Sequence, residues 1–155
     1  MRTRKMPPEN STPDIPPGQP AIDVEILNQL RIMLGQDTPQ MMAGLIENYL
    51  ENTPKMLKKL RQAANEGNKD ECYDIAHSLK SCSIAFGAVR LGALCEELKT
   101  QGLIGIAENL SQIEIEYERV KLVLEVEWRR LYELRLKTDV FYPTGSYKNI
   151  GFYPK

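Results

Sequence analysis

The sequence predicts an all-α fold, an antiparallel four-helix bundle with a short extra N-terminal helix capping one end. Three observations predict it. Apolar residues recur at steps of three and four through four long stretches. The links between those stretches are about two to four residues long and carry Gly or Asn, so consecutive helices must fold back on one another. No alternating strand pattern competes in the middle of the chain.

Residues 1–21 read as a Pro-rich disordered leader or linker, with Pro7, Pro8, Pro13, Pro16, Pro17 and Pro20 in an otherwise polar segment. Nothing there buries enough apolar surface to offset the entropy of ordering it. Such a leader suits a joint to a larger upstream protein, while Met1 also suits a free-standing chain. Asp23 can cap a first helix over Val24 to Leu34, with Ile26, Leu27, Leu30 and Met33 on its apolar side and Gly35 as its stop. Thr38 then Pro39 is a second start, because the missing proline N–H costs nothing at the first helical position. Met42, Leu45, Ile46, Tyr49, Leu57, Leu60 and Ala64 follow helical spacing to Gly67. Pro54 falls inside this run, and the continuing apolar register favours one bent helix over two.

Asn68 can cap a third helix from Lys69 to Phe86, which Gly87 ends. A fourth, Ala88 to Gln101, carries Leu91, Leu94, Cys95 and Leu98 and stops at Gly102. The fifth begins near Leu103, tolerates Gly105, and carries Ile106, Leu110, Ile113, Tyr117, Val120 and Leu124. It continues past Trp128 to about Leu136. The bundle domain is therefore 22–136. Residues 137–155 form an aromatic-rich tail with Phe141, Tyr142, Tyr147, Phe152 and Tyr153, and Phe-Tyr-Pro occurs twice in it. That tail is read as loosely docked, or as a segment that lies along the bundle or recruits a partner.

The net charge of −1 supplies no basic field for a phosphate backbone, so nucleic-acid binding is disfavoured. No apolar run reaches the ~18 residues of a membrane span. The start, Met1-Arg2-Thr3-Arg4-Lys5, runs into prolines rather than an apolar core, unlike a secretory signal. Cys72, Cys82 and Cys95 each fall on a predicted inward face and form no C-x-x-C pair. They read as small buried hydrophobes in a reducing, cytoplasmic setting.

His77 is the one histidine of the chain. On a wheel of about 100° per residue, Cys72, Ile75, Leu79, Cys82 and Phe86 lie opposite it, so it points to water. Lys80, Ser81, Tyr73 and Ile84 share its outer face, with Asp70 and Asp74 at the edge. An exposed imidazole on a rigid helix could act as base, metal ligand or nucleophile. Base catalysis needs an orienting partner and a pocket, which the outer face of a bundle does not offer. A metal site needs ligands beyond Asp70 and Asp74, so no metal is assigned. Phosphoryl acceptance needs only a neutral ring nitrogen, access and a cation, and Lys80 one turn on can supply the cation. No P-loop, Gly-rich loop or metal-carboxylate set could activate the phosphate, so activation must come from a partner.

The run Ala76-His77-Ser78-Leu79-Lys80-Ser81, followed by Gly87-Ala88, Leu91, Leu94-Cys95, Glu97-Leu98 and Gly102, resembles the histidine-containing phosphotransfer (HPt) domain of multistep phosphorelays. The resemblance covers about residues 22–125. It implies a cytoplasmic, monomeric carrier that shuttles phosphate between receiver-domain aspartates and has no kinase or hydrolase activity of its own. It implies His77 as phospho-acceptor, Lys80 as the cation stabilising the phosphoryl group, and Gly87 as a close-packing or helix-ending position. The implied partners are response-regulator receiver domains and a hybrid sensor kinase. No cofactor is expected on this chain, with Mg²⁺ expected on the receiver. Tyr73, Ile84 and outer apolar residues of the first two helices are expected to form the docking surface. Two positions depart from the family pattern. Ser81 stands at a usual glycine, where it could narrow access or donate to phosphate, and Lys99 stands where glutamate is frequent and is read as a surface exchange. The alternative function is a protein-interaction module of the same fold that carries no phosphate.

Overall fold

The computed structural model describes residues 18–35 and 39–137. They form five helices: α1 Val24–Leu34, α2 Pro39–Asn65, α3 Lys69–Ala85, α4 Val89–Gln101 and α5 Ile106–Lys137. Residues 1–17, Thr38 and the tail from 138 onward lie outside the described residues, and with them the expected leader, the Thr38 cap and most of the aromatic tail.

The helix ends follow local chemistry. The Asp23 carboxylate accepts from the Glu25 amide at 2.9 Å and caps α1. The Asn68 side chain accepts from the Glu71 amide at 3.2 Å and caps α3. Pro39 opens α2, which runs unbroken through Pro54. α5 starts three residues later than the sequence suggested. Gly105 has φ +75°, which an α-helix does not accommodate, so it belongs to the turn before α5 rather than to the helix.

α2 to α5 close an antiparallel bundle, each packing on its chain neighbour and α5 returning to α2. Arg61 pairs with Glu114 at 2.8 Å near one end of the α2–α5 seam. At the other end the Trp128 indole donates to Glu47 at 2.8 Å. The core holds Leu60, Leu79, Leu91, Leu98, Ile113, Val120, Leu124 and Trp128. Tyr49 joins three helices. Its ring lies 5.0 Å from that of Phe86 and 6.2 Å from that of Tyr117, and its hydroxyl shares a 2.8 Å hydrogen bond with Ser83.

α5 has 32 residues and α4 has 13, lengths of roughly 48 and 20 Å. α5 and the start of α2 therefore outrun the α3–α4 hairpin, and α1 covers the apolar surface left beyond it. Leu27 is buried there, and Arg31 reaches Glu127 at 2.7 Å. The chain before α1 is packed as well, earlier than residue 22. Ala21 is 5% exposed, and Arg119 donates to the Gln19 carbonyl at 2.8 Å.

Three apolar assignments need correction. Met33 is 78% exposed and Leu45 38% exposed, and Cys82 lies on the surface. The buried stripe of α3 is Cys72, Ala76, Leu79, Ser83 and Phe86. It is rotated toward small side chains because α3 is wedged between α2 and α4, where Ala76 and Ser83 permit close approach. The Tyr49 hydroxyl satisfies the buried serine, so hydropathy alone points to the wrong flank.

Candidate functional site

His77 stands exposed on the outer side of α3, away from the stripe that fixes the helix in the bundle. It lies midway along α3, where the intrahelical ladder holds its backbone. The neighbouring α4 supplies its contacts. The α3–α4 turn is tight, with the Ala88 amide bonded to the Ser83 carbonyl at 2.9 Å. Residues equally spaced on either side of Ala88 therefore meet. Lys80 and Glu96 pair at 2.8 Å, and Lys99 Nζ comes to 3.4 Å of His77 Nδ1.

Glu96 is shared between the two lysines, at 2.8 Å from Lys80 and 4.0 Å from Lys99. The Lys80 hydrogen bond, then its charge, holds the Glu96 carboxyl below the usual carboxylate range, with smaller help from Lys99 and His77. One carboxylate thus positions two ammonium groups beside one imidazole. Lys80, read from sequence as the cation near the acceptor, rests on Glu96, and the lysine touching the ring is Lys99.

Tyr73 and Ile84 also lie on the α4 side of α3. Tyr73 is half-buried, with Lys69 Nζ 5.7 Å from its ring centre. Ile84 is 38% exposed and sits over Gly92 of α4, where an added Cβ would lie 2.6 Å from its Cγ1. Ser81 is exposed on the other flank of His77, toward α2. On that flank a groove of about 270 Å³ runs between α1, α2 and α3, lined among others by Leu30, Leu45, Met56, Cys82, Ala85 and Phe86. Gly87 ends α3 with φ +90°, and a Cβ there would lie 2.6 Å from the Asp23 carbonyl oxygen. Among the described residues no three His, Cys, Asp or Glu side chains converge as a metal site, and no helix is long and apolar enough to cross a membrane.

The fold has relatives. The family model described as Hpt domain matches residues 44–122, about half of the chain. The chain belongs to the Hpt domain family. The matched region of this Hpt chain holds His77, Lys80, Glu96 and Lys99, and leaves out α1 and the far part of α5. Among solved structures it is similar to the crystal structure of histidine-containing phosphotransfer protein B (HptB) from Pseudomonas aeruginosa PAO1. That match has a TM-score of 0.65 at 24% identity, and covers 73% of this chain and 98% of the other. At that identity the likeness establishes the shared fold. No curated protein matches the sequence.

Nothing in the sequence marks Glu96 or Gly92, and Lys99 reads there as a surface exchange. Two of them carry a signal only as members of a pair. Lys80 and Glu96 stand eight residues either side of Ala88, and His77 and Lys99 eleven, but that pairing is readable only once the turn is centred there.

Proposed function

We propose that this Hpt chain is a phosphocarrier in a phosphorelay, taking a phosphoryl group on His77 from a receiver-domain aspartyl phosphate and passing it to a second receiver. The observation that carries the reading is an exposed imidazole on a rigid helix flanked by two lysines that one carboxylate holds in place. A ring-nitrogen lone pair attacks phosphorus, the aspartyl O–P bond breaks, and the carboxylate leaves with the bonding electrons. The ring sheds its remaining excess proton to water. Onward transfer is the reverse, with the new aspartate as nucleophile. Lys80, held by Glu96, supplies the cation that offsets the charge of the phosphoryl oxygens, while Lys99 stands at Nδ1 of the ring. The chain supplies the acceptor and the cation, and the partner supplies Mg²⁺ and the leaving carboxylate.

The receiver docks across the flank of α3 that carries Ser81 and over the groove between α1 and α2, with Tyr73 and Ile84 at the opposite rim. Toward the groove, the α3 side chains that follow His77 are small, Ser78, Ser81, Cys82 and Ala85, with Asp74 one turn before it, which leaves a second protein's loops room to approach the ring along the C-terminal half of α3. Exposed Met41 and Leu45 extend the apolar area.

The test is incubation with an autophosphorylated kinase–receiver pair, reading acid-labile, base-stable phosphate on this chain. Label is expected on the wild type and absent from His77→Gln with its helical circular dichroism intact. Retained label in His77→Gln would place the acceptor elsewhere. No label on the folded wild type from several donors would favour the alternative, an Hpt-fold interaction module that carries no phosphate.

A further inference from the structure

Lys99 makes the one hydrogen-bond-range contact to the imidazole found among the described residues, and the contact has a chemical direction. An ammonium group has three donors and no acceptor. At 3.4 Å from Nδ1, Lys99 Nζ donates and the ring nitrogen accepts with its lone pair. A neutral imidazole that accepts at Nδ1 carries its proton on Nε2. Lys99 is held in this place from behind, because Glu96 lies 4.0 Å from its ammonium and is itself fixed by Lys80 at 2.8 Å. The Lys99 side chain is 28% exposed, so its stem is packed while its head meets the exposed ring.

We propose that Lys99 is a positioning residue that keeps Nδ1 of His77 free of a proton, and so sets both the resting tautomer of the ring and the lifetime of the phosphorylated state. The second half rests on the phosphocarrier reading above, and the first does not. Lys99 covers Nδ1, so Nε2 is the nitrogen left open to a docked donor. For Nε2 to attack, the ring proton must leave it, and Lys99 must release Nδ1 if that proton moves there. The resting contact therefore restrains acceptance, and it re-forms once the phosphorylated ring has shed its Nδ1 proton.

In the phosphorylated ring the same contact acts as protection. Hydrolysis of phosphohistidine proceeds when a proton adds to Nδ1, water attacks phosphorus, and the N–P bond breaks. Its electron pair returns to Nε2, releasing neutral imidazole and inorganic phosphate. A lysine donating to Nδ1 competes with that proton for the same lone pair. The other charged groups at the ring are Lys80 and Glu96, with Asp70 and Asp74 along α3. Glu96 is occupied by the two lysines.

The experiment compares wild type, Lys99→Met and Lys99→Glu. The ¹⁵N shifts of the His77 ring, read at a pH where the ring is neutral, report the tautomer without any phosphate. Wild type is expected to show proton-free Nδ1 and protonated Nε2. Lys99→Glu replaces the donor with an acceptor and is expected to move the proton toward Nδ1, with Lys99→Met between them. The same ring pattern in all three would overturn the assignment whatever happens in phosphotransfer. Each protein is then phosphorylated with potassium phosphoramidate, and the decay of phosphohistidine is followed at one mildly acidic pH. Loss of a partly exposed charge contact is expected to shorten the half-life by about two- to fivefold in Lys99→Met, and further in Lys99→Glu. Equal half-lives would overturn the protective role. A wild type that accepts no phosphate on His77 from any donor would overturn both that role and the phosphocarrier reading, leaving the tautomer assignment to stand or fall on the ¹⁵N data.

Discussion

Cys82 shows how much a single position can turn on its neighbours. Its residue type is among the most often buried, and its wheel position looked inward. It is nevertheless exposed at the groove beside His77, while Cys72 and Cys95 are buried. Burial pushes the Cys95 thiol up to about 12 and raises that of Cys72, so neither offers a thiolate at neutral pH. Cys82 is therefore expected to react with a thiol reagent in the native protein, and the other two only as it unfolds. If the receiver docks over the groove, its presence should slow that reaction, and Ile84→Ala and Leu45→Ala should weaken the protection. Unchanged Cys82 labelling under saturating receiver would remove the groove from the docking surface. His77 itself was legible at this scale, because a lone histidine opposite an apolar stripe can only face out. Its lysine partner was not, because Lys99 lies on another helix.

The α3–α4 hairpin is the element that assembles the site. Its turn fixes which α4 residues face which α3 residues, and Gly87 makes the turn possible. The residue has φ +90°, and the Asp23 carbonyl oxygen would lie 2.6 Å from any Cβ placed there. The Asp23 amide also donates to the Gly87 carbonyl at 2.8 Å, tying the start of α1 to this turn. Gly87→Ala therefore meets both left-handed strain and a backbone clash, and is expected to cost about 2–3 kcal/mol in urea unfolding. The damage should reach the site, loosening Lys99 from His77 as the hairpin register relaxes. A variant of wild-type stability would mean that the turn is softer than this geometry allows. Gly35, Gly87 and Gly102 were all readable as helix stops from sequence. The close approach to Asp23 was not, since it depends on where a residue 64 positions away comes to rest.

At the scale of the molecule, the buried groups set a limit on the alkaline side. Burial raises Tyr49 and Tyr117 as well as Cys72 and Cys95. Each stays protonated in the folded protein and loses its proton more readily once unfolded. The stability they contribute is complete below the ordinary thiol value of 9.0 and is lost as pH climbs toward about 12. The urea midpoint is expected to be level from about pH 7 to 8.5 and to fall steadily above about 9. A midpoint unchanged at about pH 11 would contradict the burial of these groups. On the acid side, Glu96 is partly exposed and bonds only to lysines of the site, so its loss belongs to the site rather than to the fold.

The sequence by itself determined the five helices, most of their ends, the antiparallel order and the outward direction of His77. Those features follow from local propensity, capping and the period of apolar residues, all of which act within a turn or two of the chain. Only the tertiary structure decided that α3 turns Ser83 rather than Cys82 into the core, because the Tyr49 hydroxyl on α2 is there to receive it. It decided likewise that Glu96 holds Lys80 and that Lys99 holds His77, since both contacts cross between helices whose register is set by packing. Hydrophobic period orients each helix to within a flank, whereas contacts a few ångströms long between side chains of different helices require the whole bundle to be closed.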